Sequence, residues 1–555
     1  MTFADDQYEA ARSFAYTMIV VDDEPIGAGM EAEPVVKVKT PGRGDVTTAK
    51  VTTGEPVSPE LHSLKTKELI KSALELGLVC SIVNPKGDED NVAKSVAKAA
   101  LRADIVSLDW QMNNNDNGLL ASEIIKEILC KDEEIGGRLR LIAIYTGDTD
   151  KQGILDNIAA RLNATTEITS PVVKKDDELA NSSGLRVIWR RKSLGNDKLA
   201  DAVSEVQLPD ELLKAFAKLS NGLLANVALS TISAMRDSTH HLLSKFSQEL
   251  DGPFFHHRTL LENSSESMDY AVSIVMSAMK SEVDKSQISK RYATKEAIKR
   301  RLEVAGKDTF ILRYEHEGSE KQFHFSLDEV LTIIEGSNRD KWPPEILTAA
   351  KARNENKNNT KPQNSYLKSD FSTLFSESRD AANQSMMRFS FLSSSNLSEL
   401  SKVSRTVLPK LGLGSVLHSE QSGYLLCLQA SCDAARGDGL FFFVPLNIVK
   451  SSPHVVVPHL GANGEPNYIG LEVPENCYTK SLTINFGKID SAIGGISISF
   501  DGDRKIFCVN SNAKIEYRWL ANLKYKRALR ISQDVSQHMS RIGFDEFEPF
   551  RKKRP

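Results

Sequence analysis

Short apolar runs alternate with segments of helical period through the first 205 residues. The runs predict strands at 17–21, 78–83, 104–108 and 139–145. The segments at 59–76, 91–102, 118–129 and 151–162 carry apolar residues at helical spacing and predict helices. Alternating strands and helices are typical of a parallel sheet covered on both faces. We therefore expect an α/β domain with a doubly wound, flavodoxin-like parallel sheet at residues 1–205.

Two stretches interrupt this pattern and predict insertions at 26–58 and 165–185. The first is rich in Gly, Pro, Thr and Val without a helical period, which favours a loop or hairpin. The second holds β-like runs at 165–173 and 185–190 on either side of a polar turn. The domain therefore carries more chain between its elements than a minimal α/β sheet needs.

The rest of the chain divides into three segments. Residues 206–350 have mainly helical periodicity, with a hairpin predicted over 310–325 around Glu317 and Gly318. Residues 351–370 are polar and Asn-rich and predict a linker or mobile loop. Residues 371–555 carry strand-like runs up to about 512, and a long amphipathic helix is predicted over 516–541. The chain thus continues into a β-rich α+β domain with a C-terminal helix.

Composition indicates an ordinary soluble protein. Hydrophobic residues make up 40%, charged residues 26%, and the net charge is −4, so no global charge attracts nucleic acid or membranes. Six cysteines are too few for a disulfide framework. No run reaches about 18 apolar residues, and the acidic N-terminus lacks a signal-peptide pattern. We expect a cytoplasmic protein without a membrane partner.

Carboxylates follow two of the predicted strands. Asp22 and Asp23 end the first strand, and Asp109 ends the third. Because parallel strands end at one edge of the sheet, these side chains should lie close together. Three carboxylates repel one another unless a cation lies among them, and Mg²⁺ accepts such ligands. The pattern predicts a magnesium site, at which one carboxylate could act as a nucleophile toward phosphorus.

Two further residues fit phosphoryl transfer to a carboxylate. A hydroxyl and a cationic side chain should reach the phosphoryl oxygens, because positioning and electrostatics supply most of the catalysis. Thr146 ends the fourth strand, and Lys192 follows the apolar run at 187–189. Lys174 or Lys175 are alternatives to Lys192. We expect Asp109 as the acceptor, with Thr146 and a lysine around it.

These motifs resemble the receiver domain of two-component response regulators. The resemblance rests on VVDDE, IVSLDWQMNNNDNGL and IYTGD, and it covers about residues 15–205. It implies that Asp22, Asp23, Asp109 and the backbone carbonyl of Gln111 bind Mg²⁺, and that a sensor histidine kinase phosphorylates Asp109. The chain would then be a phosphoacceptor and no enzyme, beyond possible autodephosphorylation. It departs from the family in the insertion beside the acidic pair, the Asn-rich loop after Asp109 and the long stretch before Lys192.

Two C-terminal segments resemble a narrower group. YLLCLQASCDAARGDGLFFFVPL (424–446) and SRIGFDEFEPFRKK (540–553) are similar to segments of receiver-containing proteins of defensive, anti-phage two-component systems of the Detocs type. That resemblance implies a phosphate buffer, or sink, which shares its kinase with a second receiver-containing effector protein.

Other interpretations remain open from the sequence. Residues 206–555 could be an effector or a nucleic-acid-binding output switched by the receiver, although no DNA-binding motif supports nucleic acid as a partner. The receiver could also be degenerate and serve as a scaffold, and a homodimer is one option for assembly. The histidine pairs at 240–241 and 256–257 are better explained as helix residues than as phosphorelay sites, and Trp110 as a packing residue.

Overall fold

A computed structural model gives the conformation of most of the chain. It describes all residues except 24, 27–63, 86–88, 113–116, 166, 169, 183, 194–200, 262–263, 305, 307–308, 317, 337–370, 399–407, 451, 461–465, 490–494, 503, 505 and 540–555. Residues 27–58 of the insertion predicted at 26–58, the linker at 351–370 and the motif at 540–553 lie outside the described residues. The chain forms two compact units, residues 1–240 with 281–304, and residues 241–280 with 305–555. The division into three domains and a linker, predicted from the sequence, stays a prediction.

The N-terminal part of the chain alternates strands and helices. Its strands are β1 (Thr17–Val21), β2 (Pro25–Ile26), β3 (Leu64–Lys65), β4 (Val79–Val83), β5 (Ile105–Leu108), β6 (Arg140–Thr146), β7 (Val173–Lys175), β8 (Glu178–Ala180), β9 (Leu185–Lys192) and β10 (Ala202–Val203). Its helices are α1 (Phe3–Phe14), α2 (Thr66–Glu75), α3 (Glu89–Ala100), α4 (Leu119–Glu134), α5 (Lys151–Asn163), α6 (Leu208–Ala217) and α7 (Leu223–Asp237).

Eight of these strands form one sheet in the order β4-β1-β5-β6-β9-β8-β7, with β10 paired to β9, whereas β2 and β3 pair with each other. The pairings from β4 through β9 are all parallel, as predicted, whereas β7 and β8 add antiparallel strands beyond β9. The predicted β-run at 165–173 was wrong, because Val173 alone among its described residues lies in a strand, β7, which continues to Lys175. The second insertion therefore extends the sheet past the fifth parallel strand.

Helices cover both faces of this sheet, which confirms the prediction of a parallel sheet flanked by helices. On one face, α3, α4 and α5 bury a core against side chains such as Val21, Leu108 and Ile144. On the other face, α1, α2, α6 and α7 pack against Met18, Ile105 and the other strand residues whose side chains point to that face. Burying both faces explains why the strands read as apolar runs without alternation.

Helix α1 precedes the sheet and was missed by the sequence reasoning. Thr2 and Asp5 form a capping box at its start, since the Thr2 hydroxyl accepts from the backbone of Asp5 and the Asp5 carboxylate accepts from Thr2. Its buried Asp6 accepts from the guanidinium of Arg300 at 2.7 Å, within the same unit. The capping pattern was the available signal for this helix.

The remaining elements follow α7. The helices are α8 (Thr239–Leu243), α9 (Asp251–Thr259), α10 (Ser264–Lys285), α11 (Ile288–Tyr292), α12 (Lys295–Val304), α13 (Leu327–Glu335), α14 (Arg379–Ser394), α15 (Ser431–Arg436) and α16 (Tyr525–Met539). The strands are β11 (Thr309–His316), β12 (Ser319–Ser326), β13 (Ser395–Ser398), β14 (Lys410–Leu411), β15 (Ser415–Ser419), β16 (Gly423–Cys427), β17 (Leu440–Val449), β18 (Val455–Leu460), β19 (Pro466–Glu472), β20 (Leu482–Asn485), β21 (Ile496–Ser497), β22 (Ser499–Asp501), β23 (Ile506–Asn510) and β24 (Glu516–Leu523).

The second unit is β-rich, as predicted. Strands β11 and β12 form the predicted antiparallel hairpin. A ten-stranded antiparallel sheet follows, with the order β18-β19-β17-β16-β15-β24-β23-β22. In addition, β13 pairs with β24 and β20 pairs with β17. Apolar cores lie on both of its faces.

The predicted helix over 516–541 was wrong in its first third. Residues 516–523 form β24, which pairs with β15 and β23, and the helix begins only at Tyr525. Tyr517 and Trp519 face one core of the sheet, and a bulge at Leu520 turns Ala521 and Leu523 toward the other core. No described helix of the protein is long and apolar enough to cross a membrane.

Candidate phosphoacceptor site

Two acidic residues lie at the carboxyl ends of neighbouring strands. Asp22 follows β1, and its backbone N–H donates to the carbonyl of Val83 at 3.1 Å. Asp109 follows β5, and its N–H donates to the carbonyl of Val21 at 3.0 Å. These bonds extend the sheet ladder by one residue, so a rigid backbone holds both side chains. Asp22 is 1% exposed and Asp109 is 9% exposed.

Asp23 completes an acidic cluster with these two residues. One carboxylate oxygen from each of Asp22, Asp23 and Asp109 lies within 4.8 Å of the other two. Three negative charges at this spacing repel one another, and the cost rises where burial excludes water. Hard oxygen donors are the ligands that Mg²⁺ prefers, so the donor set fits this cation.

Lys192, the last residue of β9, reaches into the same cluster. Its Nζ donates to Asp22 Oδ2 at 2.7 Å and also to Asp109 Oδ2. The ammonium group is buried, with a side chain 5% exposed. Lys174 instead pairs with Asp156 at 2.5 Å on the α5 side, and Lys175 lies on the edge strand β7. Among the three lysines considered, the geometry favours Lys192.

Burial and charge shift the pKa values at this site. Burial raises the pKa of Asp109, and the nearby charge of Asp22 adds to the rise, whereas Lys192 and the N–H of Gln111 act in the opposite direction. Burial alone would lower the pKa of Lys192, but the carboxylates of Asp109 and Asp22 outweigh it and raise that pKa. The lysine therefore stays protonated, while Asp109 is a more basic carboxylate than usual.

Thr146 and Gln111 also lie at this edge. Thr146 is the last residue of β6 and pairs with Arg191 of β9, the residue before Lys192. The Thr146 hydroxyl accepts from the N–H of Asp148 at 3.3 Å. The Gln111 N–H lies 3.4 Å from Asp109 Oδ1. Its side-chain oxygen is buried and has no hydrogen-bond partner within the described part of the chain. The structure thus brings the predicted residues to one edge, and their individual roles stay predictions.

Trp110 directly follows Asp109, and its side chain packs in the core and against Gly118, just before α4. Its side chain is 2% exposed in the core formed with α3, α4 and α5. A Cβ atom at Gly118 would lie 2.1 Å from the Trp110 ring, and Gly118 has a φ of +72°. Only glycine satisfies both conditions at the start of α4. This contact agrees with the packing role predicted for Trp110.

Tyr145 is a neighbour of the site that the sequence reasoning missed. Its hydroxyl donates to the carbonyl of Val203 at 2.9 Å, and Lys192 Nζ lies 5.7 Å from its ring centroid. Val203 belongs to β10, which pairs with Arg191 and Lys192. The aromatic residue before Thr146 was the available signal, although no pattern in the sequence predicted β10.

The histidine pairs at 240–241 and 256–257 show no comparable arrangement with the described residues around them. His240, His241 and His256 are exposed on helices α8 and α9, and the ring of His257 packs at a tilt of 46° against Tyr270, with centroids 4.6 Å apart. Burial raises the pKa of Cys427 to about 12, which favours an inert thiol.

Comparison with known proteins identifies this part of the chain. The family model of the response receiver domain matches residues 14–197, roughly a third of the chain. No curated protein and no solved structure is significantly similar to the chain. The chain therefore carries a response receiver domain, which indicates a phosphoacceptor response regulator.

Proposed function

We propose that Asp109 accepts a phosphoryl group from the phosphohistidine of a partner sensor kinase. The observation that carries this proposal is the bonding of Lys192 to both Asp22 and Asp109, beside the third carboxylate of Asp23. Three carboxylates and one ammonium leave excess negative charge at a site that retains some exposure. Such a site is suited to receive a cation and a phosphoryl group.

The transfer needs little covalent chemistry from the protein. An ionised oxygen of Asp109 attacks phosphorus, the P–N bond to the kinase imidazole breaks, and its electron pair returns to that nitrogen. Lys192 neutralises charge on a phosphoryl oxygen, and the Thr146 hydroxyl donates to another. The raised pKa of Asp109 makes its carboxylate a better nucleophile.

The acidic cluster would hold Mg²⁺ during this transfer. Its ligands would be Asp22, Asp23, Asp109 and the carbonyl of Gln111, and the bound cation would supply positive charge for the phosphoryl oxygens. Lys192 balances part of the cluster's charge, which limits the repulsion among the three carboxylates.

We further propose that the protein acts as a phosphate buffer rather than as an enzyme. The resemblance of its C-terminal segments to proteins of Detocs-type anti-phage systems supports this role, with autodephosphorylation as its only turnover. The buffer would draw phosphoryl groups from the kinase and away from a second, receiver-containing effector, so that weak signals do not reach the damaging response. The proposed site of action is the cytoplasm.

Phosphodonor labelling tests the acceptor. The full chain, incubated with phosphoramidate and Mg²⁺, should show one phosphorylated species on a phosphate-affinity gel. Asp109→Asn should show none, whereas Asp156→Asn, at a distant exposed carboxylate, should label like the wild type. Equal labelling of Asp109→Asn would refute the assignment, and an unlabelled wild type would favour a degenerate receiver that serves as a scaffold.

Reconstitution with the kinase and effector tests the buffer role. Adding the wild-type protein should lower the phosphoryl group that reaches the effector, and adding Asp109→Asn should not. An equal reduction by both proteins would contradict buffering. Toxicity of the full chain expressed with the kinase alone, lost in Asp109→Asn, would show instead that residues 206–555 are an effector or nucleic-acid-binding output.

A further inference from the structure

The two outer strands of the receiver sheet differ in their protection against pairing with another chain. The outer strand β7 has three residues, two of them lysines, which is a common protection against pairing with another chain. The opposite outer strand β4 has five residues, Val-Cys-Ser-Ile-Val, with no charge and no proline. It pairs only with β1 in the described part of the chain, and Val79 is 65% exposed. Among the described residues, the edge of β4 is therefore unpaired and carries none of the protection seen on β7.

The direction of the β4 backbone groups defines what this edge offers. The N–H of Val79 donates to Tyr16, and the carbonyl of Val83 accepts from Asp22, so the odd-numbered residues bond toward β1. Backbone groups alternate in direction along a strand. The N–H and C=O groups of Cys80 and Ile82 therefore point away from β1, along the open edge.

We propose that this edge pairs with β4 of a second copy of the protein, antiparallel about a two-fold axis at Ser81. Cys80 then faces the partner's Ile82 and exchanges both backbone hydrogen bonds with it, which uses every outward backbone group of Cys80 and Ile82. Val79 faces the partner's Val83, so each cross-strand pair beside the axis is apolar. Such self-complementarity is what a two-fold interface requires.

Helix α2 supplies an apolar flank for the same interface. Its inner side buries Leu69 and Ala73, and the Ser72 hydroxyl donates to the carbonyl of Val206 on the side toward α6. Ile70 and Leu74 lie on the opposite side, toward the open edge, and are 37% and 66% exposed. Two antiparallel α2 helices related by the axis would cover these side chains with each other.

The charges on α2 favour the antiparallel arrangement. Its N-terminal half carries the exposed Lys67, Glu68 and Lys71, with a net positive charge, and the exposed Glu75 is its last residue. Antiparallel helices bring the positive half of one copy near Glu75 of the other, whereas parallel helices would bring like charges together. This complementarity identifies the occupant of the edge as a second copy of the chain.

Cysteine cross-linking tests the axis. Residues at a non-hydrogen-bonded antiparallel position have Cα atoms about 4.5 Å apart, within the range for a disulfide. The full-length Ser81→Cys protein should form a covalent dimer on a non-reducing gel under mild oxidation. The native Cys80 is an internal control, because its counterpart lies about 7 Å further along the strand and burial raises its pKa to about 11. Absence of a Ser81→Cys dimer would overturn the proposed register.

Light scattering tests the interface without a disulfide. The wild-type protein should have the mass of a dimer, and Val79→Lys should weaken association at least tenfold. Val173→Lys is the matched control, since Val173 is 60% exposed on the other outer strand. A monomeric wild type, or a dimer equally stable in Val79→Lys, would refute the proposal. Asp109→Asn should remain dimeric, so failure of this proposal is distinguishable from failure of the phosphoacceptor.

Discussion

The two ends of the receiver sheet each bury a cation against carboxylate, with different outcomes. At the amino end, Arg140 is fully buried, binds both oxygens of Asp132 at 2.5 and 2.7 Å, and donates to the carbonyls of Ala100 and Ala103. At the carboxyl end, Lys192 faces three carboxylates. One cluster is closed and balanced in charge, whereas the other keeps excess negative charge near solvent. A buried ion pair at a strand end therefore indicates a functional site only when charge remains to be neutralised.

The largest effect on stability should come from the balanced end. Arg140→Met leaves the Asp132 carboxylate buried and unpaired, which should lower the free energy of unfolding by about 3–5 kcal/mol. Urea denaturation of the full chain measures this loss. The protein that remains folded should still label with phosphoramidate, and loss of labelling in that fraction would contradict a purely structural role.

The excess-charge end should show the opposite behaviour. Lys192→Met should slow phosphorylation by about 10²–10³-fold, since it removes a cation aimed at the phosphoryl oxygens. Single-turnover labelling measures the rate, and Lys174→Met is the control because that lysine pairs on the surface. An unchanged rate in Lys192→Met would remove this residue from the site.

Cation binding should separate the two ends further. Mg²⁺ at about 100 times its Kd should raise the free energy of unfolding by about 2.7 kcal/mol, because it binds the folded cluster. Asp23→Asn should lose most of this stabilisation, and Asp156→Asn should keep it. Differential scanning fluorimetry with and without Mg²⁺ gives the comparison, and equal stabilisation of both variants would contradict the assigned ligands.

The smallest effect concerns pH. Burial raises the pKa of Asp109, so the folded state disfavours the ionised form of this carboxyl group. The protonated Asp109 is favoured in the folded protein at low pH, and this contribution to the free energy of unfolding is lost as the pH rises through the raised pKa. Without Mg²⁺, Asp109→Asn should therefore melt a few degrees above the wild type at neutral pH, with a smaller difference toward acid. If the wild type melts at a higher temperature than Asp109→Asn at neutral pH, the ionised Asp109 stabilises the folded protein, which would contradict this prediction.

The receiver fold could be predicted because its strands are buried on both faces and end in chemically distinctive residues. Parallel strand ends meet at one edge, so the positions of Asp22 and Asp109 followed from the runs that precede them. Lys192 was harder, since the long stretch before β9 left Lys174 and Lys175 as alternatives until the hairpin of β7 and β8 was known. Which lysine reaches the site therefore depends on how β7, β8 and β9 pair, which the local sequence does not indicate.

Other elements could not be predicted for identifiable reasons. Helix α1 depends on a capping box and on packing against α6 and α7, which the local pattern signals weakly. Strand β24 was assigned to a helix because its bulge buries Trp519, Leu520 and Ala521 in succession, which hides the period of two, and because the strand runs directly into the amphipathic α16. The role of Tyr145 depends on β10, a two-residue strand visible only through its pairing with β9.

Direct location of the phosphoryl group tests the central claim most sharply. Reduction of the phosphorylated protein with borohydride converts an aspartyl phosphate to homoserine, which peptide mass spectrometry can place in the sequence. We predict homoserine at position 109 alone, dependent on both the phosphodonor and Mg²⁺. Homoserine at another aspartate, or label that resists reduction because it lies on histidine, would contradict Asp109 as the phosphoacceptor.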